Sequence, residues 1–181
     1  MGKIAFITGI SGQDGANLSE YLIGLGYEVH GIMRRHSYSE AQDMRIKNLP
    51  VKTYYGDMLD TGGLERLLKQ IQPDEIYNLA AQSHVRVSFE IPQFTAQVNA
   101  IGVLNILDAY KNACPGAKFY QASSSEMFGS SVDADDYQRE TTPMLPVSPY
   151  GCAKLMAYHL VRTYRAAYGL HCSNGILFNY F

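Results

Sequence analysis

The chain has 181 residues, enough for one domain with a sizeable core, and at 46% hydrophobic and 18% charged it has the balance of an ordinary globular protein. A formal net charge of −2 removes any bulk electrostatic case for nucleic acid or an anionic membrane, and no apolar run is long enough for a signal-peptide core or a bilayer span. Cys114, Cys152 and Cys172 are odd in number and lack C-x-x-C spacing, and the five histidines show no metal-ligand spacing, so reduced thiols in a cytosol-like compartment are expected rather than disulfides or a metal site.

In chain order, Ile4-Ala5-Phe6-Ile7 reads as a strand, followed by a turn with glycines at 9, 12 and 15. An apolar-periodic run to Leu25 then reads as a helix, with Leu18, Tyr21, Leu22 and Leu25 as its buried face and Gly26 suited to its C-terminal cap. Residues 28–33 are a second strand ending at Arg34-Arg35. Strand, glycine turn, helix and strand make one βαβ unit. Glycine permits the tight turn and the close approach of a pyrophosphate, and the helix N-terminus behind it attracts negative charge. A three-glycine pattern gains its meaning from this context; alone it would describe any loop that turns.

Residues 36–49 are polar and irregular, and 51–55 read as strand three. A short helix over 63–71 is stopped by Pro73, and 75–79 form strand four. Pro92 permits a helix start, and 94–113 read as one long helix. Strand five covers 118–122; residues 129–149 are a loop with acidic residues and three prolines; 150–168 are helical and 171–178 are strand six. Alternating strands and helices predict an α/β fold: a doubly wound parallel sheet of Rossmann type, in order 3-2-1-4-5-6. Ligands of such folds sit at the carboxyl ends of the strands, where five polar clusters fall: 9–15, 34–35, 57, 80–83 and 123–126.

Arg34 lies about 20 residues past the glycine turn, where an NAD enzyme usually carries an acidic residue for the ribose hydroxyls. A basic pair there suits a 2′-phosphate, hence NADP, or is simply a solvated surface pair. Asp57 could accept from an adenine amine or form an Asx-turn. Ala80 and Ala81 let backbone approach a cofactor ribose, or serve tight packing. Tyr150 and Lys154, four apart on one helix, share a face. A lysine ammonium there is expected to lower the phenol pKa, making Tyr150 a base toward a substrate hydroxyl. Ser124 can hydrogen-bond that hydroxyl. Glu126 adds a carboxylate that plain alcohol oxidation does not need; it suits proton removal next to a carbonyl, or it complements a helix start. Ser83 and Asn179 could orient a sugar or act as cap and turn residues.

The stretches ITGISGQDGANLSEYL, VHGIMRR, YYGDMLD, IYNLAAQSHVRVSFE, FYQASSSEMFG and SPYGCAK together resemble the extended short-chain dehydrogenase/reductase family, in its nucleotide-sugar dehydratase branch. The resemblance implies bound NADP, the nucleotide sugar GDP-mannose as substrate, and a cytoplasmic homo-oligomer, dimer or tetramer. Carried over by residue, Ser124, Glu126, Tyr150 and Lys154 take the catalytic positions, with Ser83, Ser124, Glu126, Tyr150 and Asn179 toward substrate. Gly9, Ile10, Ser11, Gly12, Gln13 and Asp14 match cofactor contacts. So do Arg34, Arg35, His36, Ser37, Asp57, Met58, Leu79, Ala80, Ala81, Gln82 and Ser83, together with Tyr150 and Lys154. Four positions depart from the family pattern: Ser for Thr at 124, Phe94 for a cofactor-contacting Tyr, His36 and Tyr38 in a Ser-rich loop, and Tyr180 for His. Residues 1–181 are then expected to be the NADP-binding domain, with a smaller substrate domain beyond Phe181. Another nucleotide-sugar dehydratase, epimerase or reductase, or an NADP-binding module without turnover, are the competing expectations.

Overall fold

The computed structural model describes residues 2–34 and 44–178. Its strands are β1 (Ile4–Thr8), β2 (Glu28–Met33), β3 (Lys52–Tyr55), β4 (Glu75–Asn78), β5 (Lys118–Ser124) and β6 (His171–Leu177). All neighbours pair in parallel, in the order β3-β2-β1-β4-β5-β6. This is the predicted doubly wound sheet. Each return to parallel register needs a crossover, and handedness leaves few ways to lay these crossovers on a sheet. The helices are α1 (Gln13–Gly24), α2 (Thr61–Ile71), α3 (Val87–Glu90), α4 (Pro92–Ala96), α5 (Gly102–Ala113) and α6 (Pro149–Tyr168).

Side-chain alternation along β1 divides the core. Phe6 joins Leu64, Leu68, Ile106 and Val161 from α2, α5 and α6. Ala5 and Ile7 join Leu22 and Val29 on the opposite face, with Ile46 closing that side. Leu64, Leu67, Leu68 and Ile71 form the buried face of α2, and Asp60 caps that helix by accepting from the Gly63 N–H at 2.9 Å.

Helix α1 differs from expectation. Its buried residues are Gly15, Ala16, Ser19 and Leu22, whereas Tyr21 and Leu25 are 65% and 58% exposed. Small residues let α1 lie close to the turn and sheet. Ser19 becomes tolerable there because its hydroxyl donates to the Gly15 carbonyl at 2.7 Å.

The predicted helix over 94–113 is continuous but not uniform. It runs as α4, a π-type turn over Gln97–Ile101, and α5. Strand β5 extends two residues past the predicted end, because Ser123 and Ser124 pair with Ile176 and Leu177 of β6. The short helix α3 was not legible from periodicity.

Candidate active site

All six strands point the same way, so their carboxyl ends share one edge. Around β1, β2, β3 and β4 that edge holds a cleft of about 510 Å³, within the range of small-molecule sites. Its floor is the glycine turn. Gly9 has φ +71°, and a Cβ there would lie 3.0 Å from the Ala80 nitrogen. A Cβ on Gly15 would collide with the Gly9 carbonyl oxygen and stand 2.7 Å from the Ile10 Cα. The turn is therefore packed backbone against backbone between β4 and α1. Gly12 is the N-cap of α1 and offers no side-chain cap, so the helix start is left open toward the cleft. Ser11, Gln13 and Asp14 line the cleft as expected; Ile10 does not. Its side chain is fully buried, in the core cluster beneath α1, because an apolar group beside the turn gains more from packing than from facing a polar cleft.

Arg34 lines the far wall, its guanidinium carbon 5.6 Å from the centroid of the Phe94 ring. Arg45, which the sequence reading missed, stands on the same cleft and reaches the Ser11 carbonyl at 3.5 Å. Arg35, His36, Ser37 and Asn179, with Tyr38 and Tyr180, lie outside the described residues. Asp57 takes the Asx-turn alternative: one carboxylate oxygen accepts from the Leu59 N–H at 2.9 Å, while the residue still lines the cleft. Met58 lines it with a nearly buried side chain, and Leu79, Ala80, Ala81, Gln82 and Ser83 form the wall after β4. An open helix start and two guanidinium groups around a cleft floored by close-packed glycines make a donor set for phosphate groups, which fits a dinucleotide.

That wall is held by residues the sequence reading did not single out. Asn99, in the π-type turn, accepts from the Gln82 N–H and donates to the Gln82 carbonyl, both at 2.8 Å. The extra residue of a π-type turn re-aims its side chains, and such turns recur at functional sites. Thr8 accepts from the Leu79 and Ala80 N–H groups at 3.2 and 3.1 Å.

Ser124, Glu126, Tyr150 and Lys154 come together one strand further along the edge, at the end of β5 and the start of α6, outside the lining of the cleft itself. Ser148 caps α6 by accepting from the Gly151 N–H at 3.0 Å, and buried Ser88 of α3 accepts from the Tyr150 N–H at 3.2 Å. A Cβ on Gly151 would stand 2.6 Å from the Glu126 carbonyl oxygen, so α6 begins directly against the Glu126 backbone. Glu126 lies in the short turn Ser125–Met127, its N–H donating to Ser124 Oγ at 3.2 Å. Of the described candidates toward substrate, Ser83 alone lines the cleft.

The electrostatics correct one expectation. The Tyr150 phenol is pushed up rather than down: burial raises its pKa, the Ser124 hydroxyl pulls it back, and the Glu126 charge raises it further. Lys154 exerts no such pull on the phenol. Its ammonium donates to the Ala122 carbonyl at 2.8 Å, 5.7 Å from the Tyr150 ring centroid, and burial brings its own pKa down to about 8.

A chain of buried polar side chains leads to that carbonyl. Thr8 donates to Asn78 Oδ1 at 2.5 Å, Asn78 donates to Gln121 Oε1 at 2.7 Å, and Gln121 donates to the Ala122 oxygen at 2.9 Å. The cofactor wall and the lysine are thus joined by one run of hydrogen bonds across three strands. Among the described residues no three His, Cys, Asp or Glu side chains gather to hold a metal, and no helix is long and apolar enough to cross a membrane.

Comparison with known proteins agrees with this geometry. The family profile described as GDP-mannose 4,6 dehydratase matches residues 6–181. The chain is 48% identical to a GDP-mannose 4,6-dehydratase of Vibrio cholerae serotype O1, over 98% of this chain and 50% of that protein. It is 50% identical to GDP-mannose 4,6 dehydratase 1 of Arabidopsis thaliana, over 98% and 52%. Among solved structures, the dTDP-glucose 4,6-dehydratase of Streptomyces venezuelae with bound NAD superposes with a TM-score of 0.81 at 26% identity, over 94% of this chain and 53% of that one. The UDP-glucose 4-epimerase of Thermus thermophilus in complex with NAD gives 0.80 at 28%, over 94% and 53%. The chain thus spans about half the length of the curated relatives it matches.

Proposed function

Since the chain belongs to the GDP-mannose 4,6-dehydratase family, we propose that it is the NADP-binding Rossmann domain of an enzyme that converts GDP-mannose to GDP-4-keto-6-deoxymannose and water. The substrate domain lies outside residues 1–181 on this reading, and the whole enzyme works in the cytoplasm as a homo-oligomer, dimer or tetramer. The observation that carries the proposal is the placing of Glu126 between Ser124, which accepts from its N–H at 3.2 Å, and the start of α6, where Gly151 packs on its carbonyl beside Tyr150. Oxidation of an alcohol needs the tyrosine, serine and lysine; only elimination next to the new carbonyl needs a further acid/base.

Bound NADP would take hydride from C4 of the sugar and return it to C6. Tyr150 accepts the proton of the C4 hydroxyl, with Ser124 holding that hydroxyl. Lys154, buried on the Ala122 carbonyl one helical turn from Tyr150, would hold the cofactor ribose beside the quartet. The 4-ketone acidifies C5, and Glu126 removes that proton. Glu126 then gives it to the C6 hydroxyl, which leaves as water as the C5–C6 double bond forms. Tyr150 would then give C5 the proton it took from the C4 hydroxyl, so that both the protons and the cofactor's redox state return to their starting point. For the cofactor itself, Arg34 and Arg45 support a 2′-phosphate and hence NADP over NAD.

The test is Glu126→Gln in the full-length protein. It keeps size and hydrogen bonding but removes the proton acceptor. Formation of 6-deoxy product should slow by about 10²–10⁴ while reduced cofactor still forms. Tyr150→Phe should leave no reduced cofactor. Wild-type product made in deuterium oxide should carry solvent hydrogen at C5. Unchanged product formation by Glu126→Gln would defeat the dehydratase mechanism.

A further inference from the structure

We propose that Phe94 is a specificity-determining positioning residue: its ring holds the Arg34 guanidinium at the adenosine end of the cleft and thereby sets the preference for a 2′-phosphorylated over an unphosphorylated dinucleotide. The inference rests on the NADP reading above. Arg34 directly follows β2, and its guanidinium carbon lies 5.6 Å from the Phe94 ring centroid, a cation–π separation. Both residues line the cleft beside Met58 and Asp57. The ion pairs among the described residues all involve other side chains.

That choice of partner has a chemical consequence. A carboxylate would occupy the guanidinium's edge donors and cancel its charge. An aromatic face occupies only the guanidinium plane and leaves both the charge and the five N–H groups for a phosphate. A solvated arginine must lose its rotamer freedom when it clamps a ligand, and one already stacked on a ring has lost part of it beforehand.

The ring itself is fixed. It sits on α4, half-buried, and the next residue, Thr95, donates to the Ile91 carbonyl at 3.0 Å and to Gln82 Oε1 at 3.4 Å. Helix α4 is thereby tied to the cofactor wall. The register between Phe94 and the cleft does not depend on Arg34, so the ring can act as a stop against which the arginine rests.

Calorimetric titration of NADP and of NAD into wild type, Phe94→Leu, Phe94→Tyr, Arg34→Ala and the Arg34→Ala/Phe94→Leu double variant tests this without any need for turnover. Phe94→Leu should weaken NADP by about two- to fivefold, the exposed cation–π range, and leave NAD within about twofold. Phe94→Tyr keeps the ring and should keep the preference. In the Arg34→Ala background Phe94→Leu should change NADP affinity no further. Equal weakening of both cofactors by Phe94→Leu, or an undiminished effect without Arg34, would overturn the inference while leaving an Arg34-dependent preference intact. A wild-type protein without preference for NADP would overturn the cofactor reading and this inference together.

Discussion

Lys154 is 5% exposed, bonds a carbonyl rather than a carboxylate, and sits in the middle of the proposed machinery. Burial lowers its pKa from 10.5 to about 8, so its charge opposes folding. Below pH 8 the lysine is charged in both states and the full penalty applies. Between 8 and 10.5 the unfolded chain holds a proton that the folded chain has lost, so this residue's contribution improves as pH rises; above 10.5 the penalty is gone. Lys154→Met removes the titration. The stability of wild type relative to that variant should therefore increase by about 3 kcal/mol between pH 7 and pH 10.5, measured by urea unfolding at each pH. Cys114 and Cys172, both raised to about 11 by burial, act in the opposite direction at high pH but are common to the two proteins and cancel in the difference. A pH-independent gap would mean that Lys154 is not desolvated.

Among the elements, α1 shows how the glycine turn constrains packing. Its inner face is built from Gly15, Ala16 and Ser19 because the helix start must rest directly on the glycine turn. One methyl group at Gly15 would meet the Gly9 carbonyl and the Ile10 backbone, neither of which can swing aside as a side chain would. Gly15→Ala should therefore cost about 1–3 kcal/mol of stability, the usual cost of overpacking. Pushing α1 off the turn also moves its open N–H groups, so cofactor affinity should fall in the same variant. Unfolding in urea and NADP titration check the two effects. Gly24→Ala on the same helix, with open space around its added Cβ, is the control and should disturb neither.

At the scale of the whole molecule, the parallel sheet delivers every polar cluster to one edge and divides that edge in two. The cleft over β1, β2, β3 and β4 carries the groups proposed to hold the cofactor's phosphates, and the Ser124–Glu126–Tyr150–Lys154 quartet stands at β5 and α6. The first depends on groups within this chain. The curated relatives are about twice as long, and the nucleotide sugar is expected to draw on that further length. The 181-residue protein should bind NADP but bind GDP-mannose weakly or not at all by calorimetry. Micromolar affinity for GDP-mannose would place most of the sugar site on this half.

The strand and helix alternation, the strand order and the glycine turn were legible in the sequence because they follow from local rules: apolar periodicity, crossover handedness and the freedom of glycine. The same holds for the pairing of Tyr150 with Lys154, four residues apart on one helix. Tertiary structure decided what depends on partners far along the chain. Periodicity marked Tyr21 and Leu25 as inner, but the inner face of α1 went to small residues, because the backbone opposite it lies so close. Asn99 gained its meaning from Gln82, and Thr8 from Asn78, 70 residues away. Tyr150 was expected to be acidified by Lys154. Burial acts on both groups, and it raised the phenol while it lowered the lysine. Arg34 could be read as a phosphate ligand from its place after β2, but the ring that holds it lies 60 residues on, across a cleft that exists only once the sheet has formed.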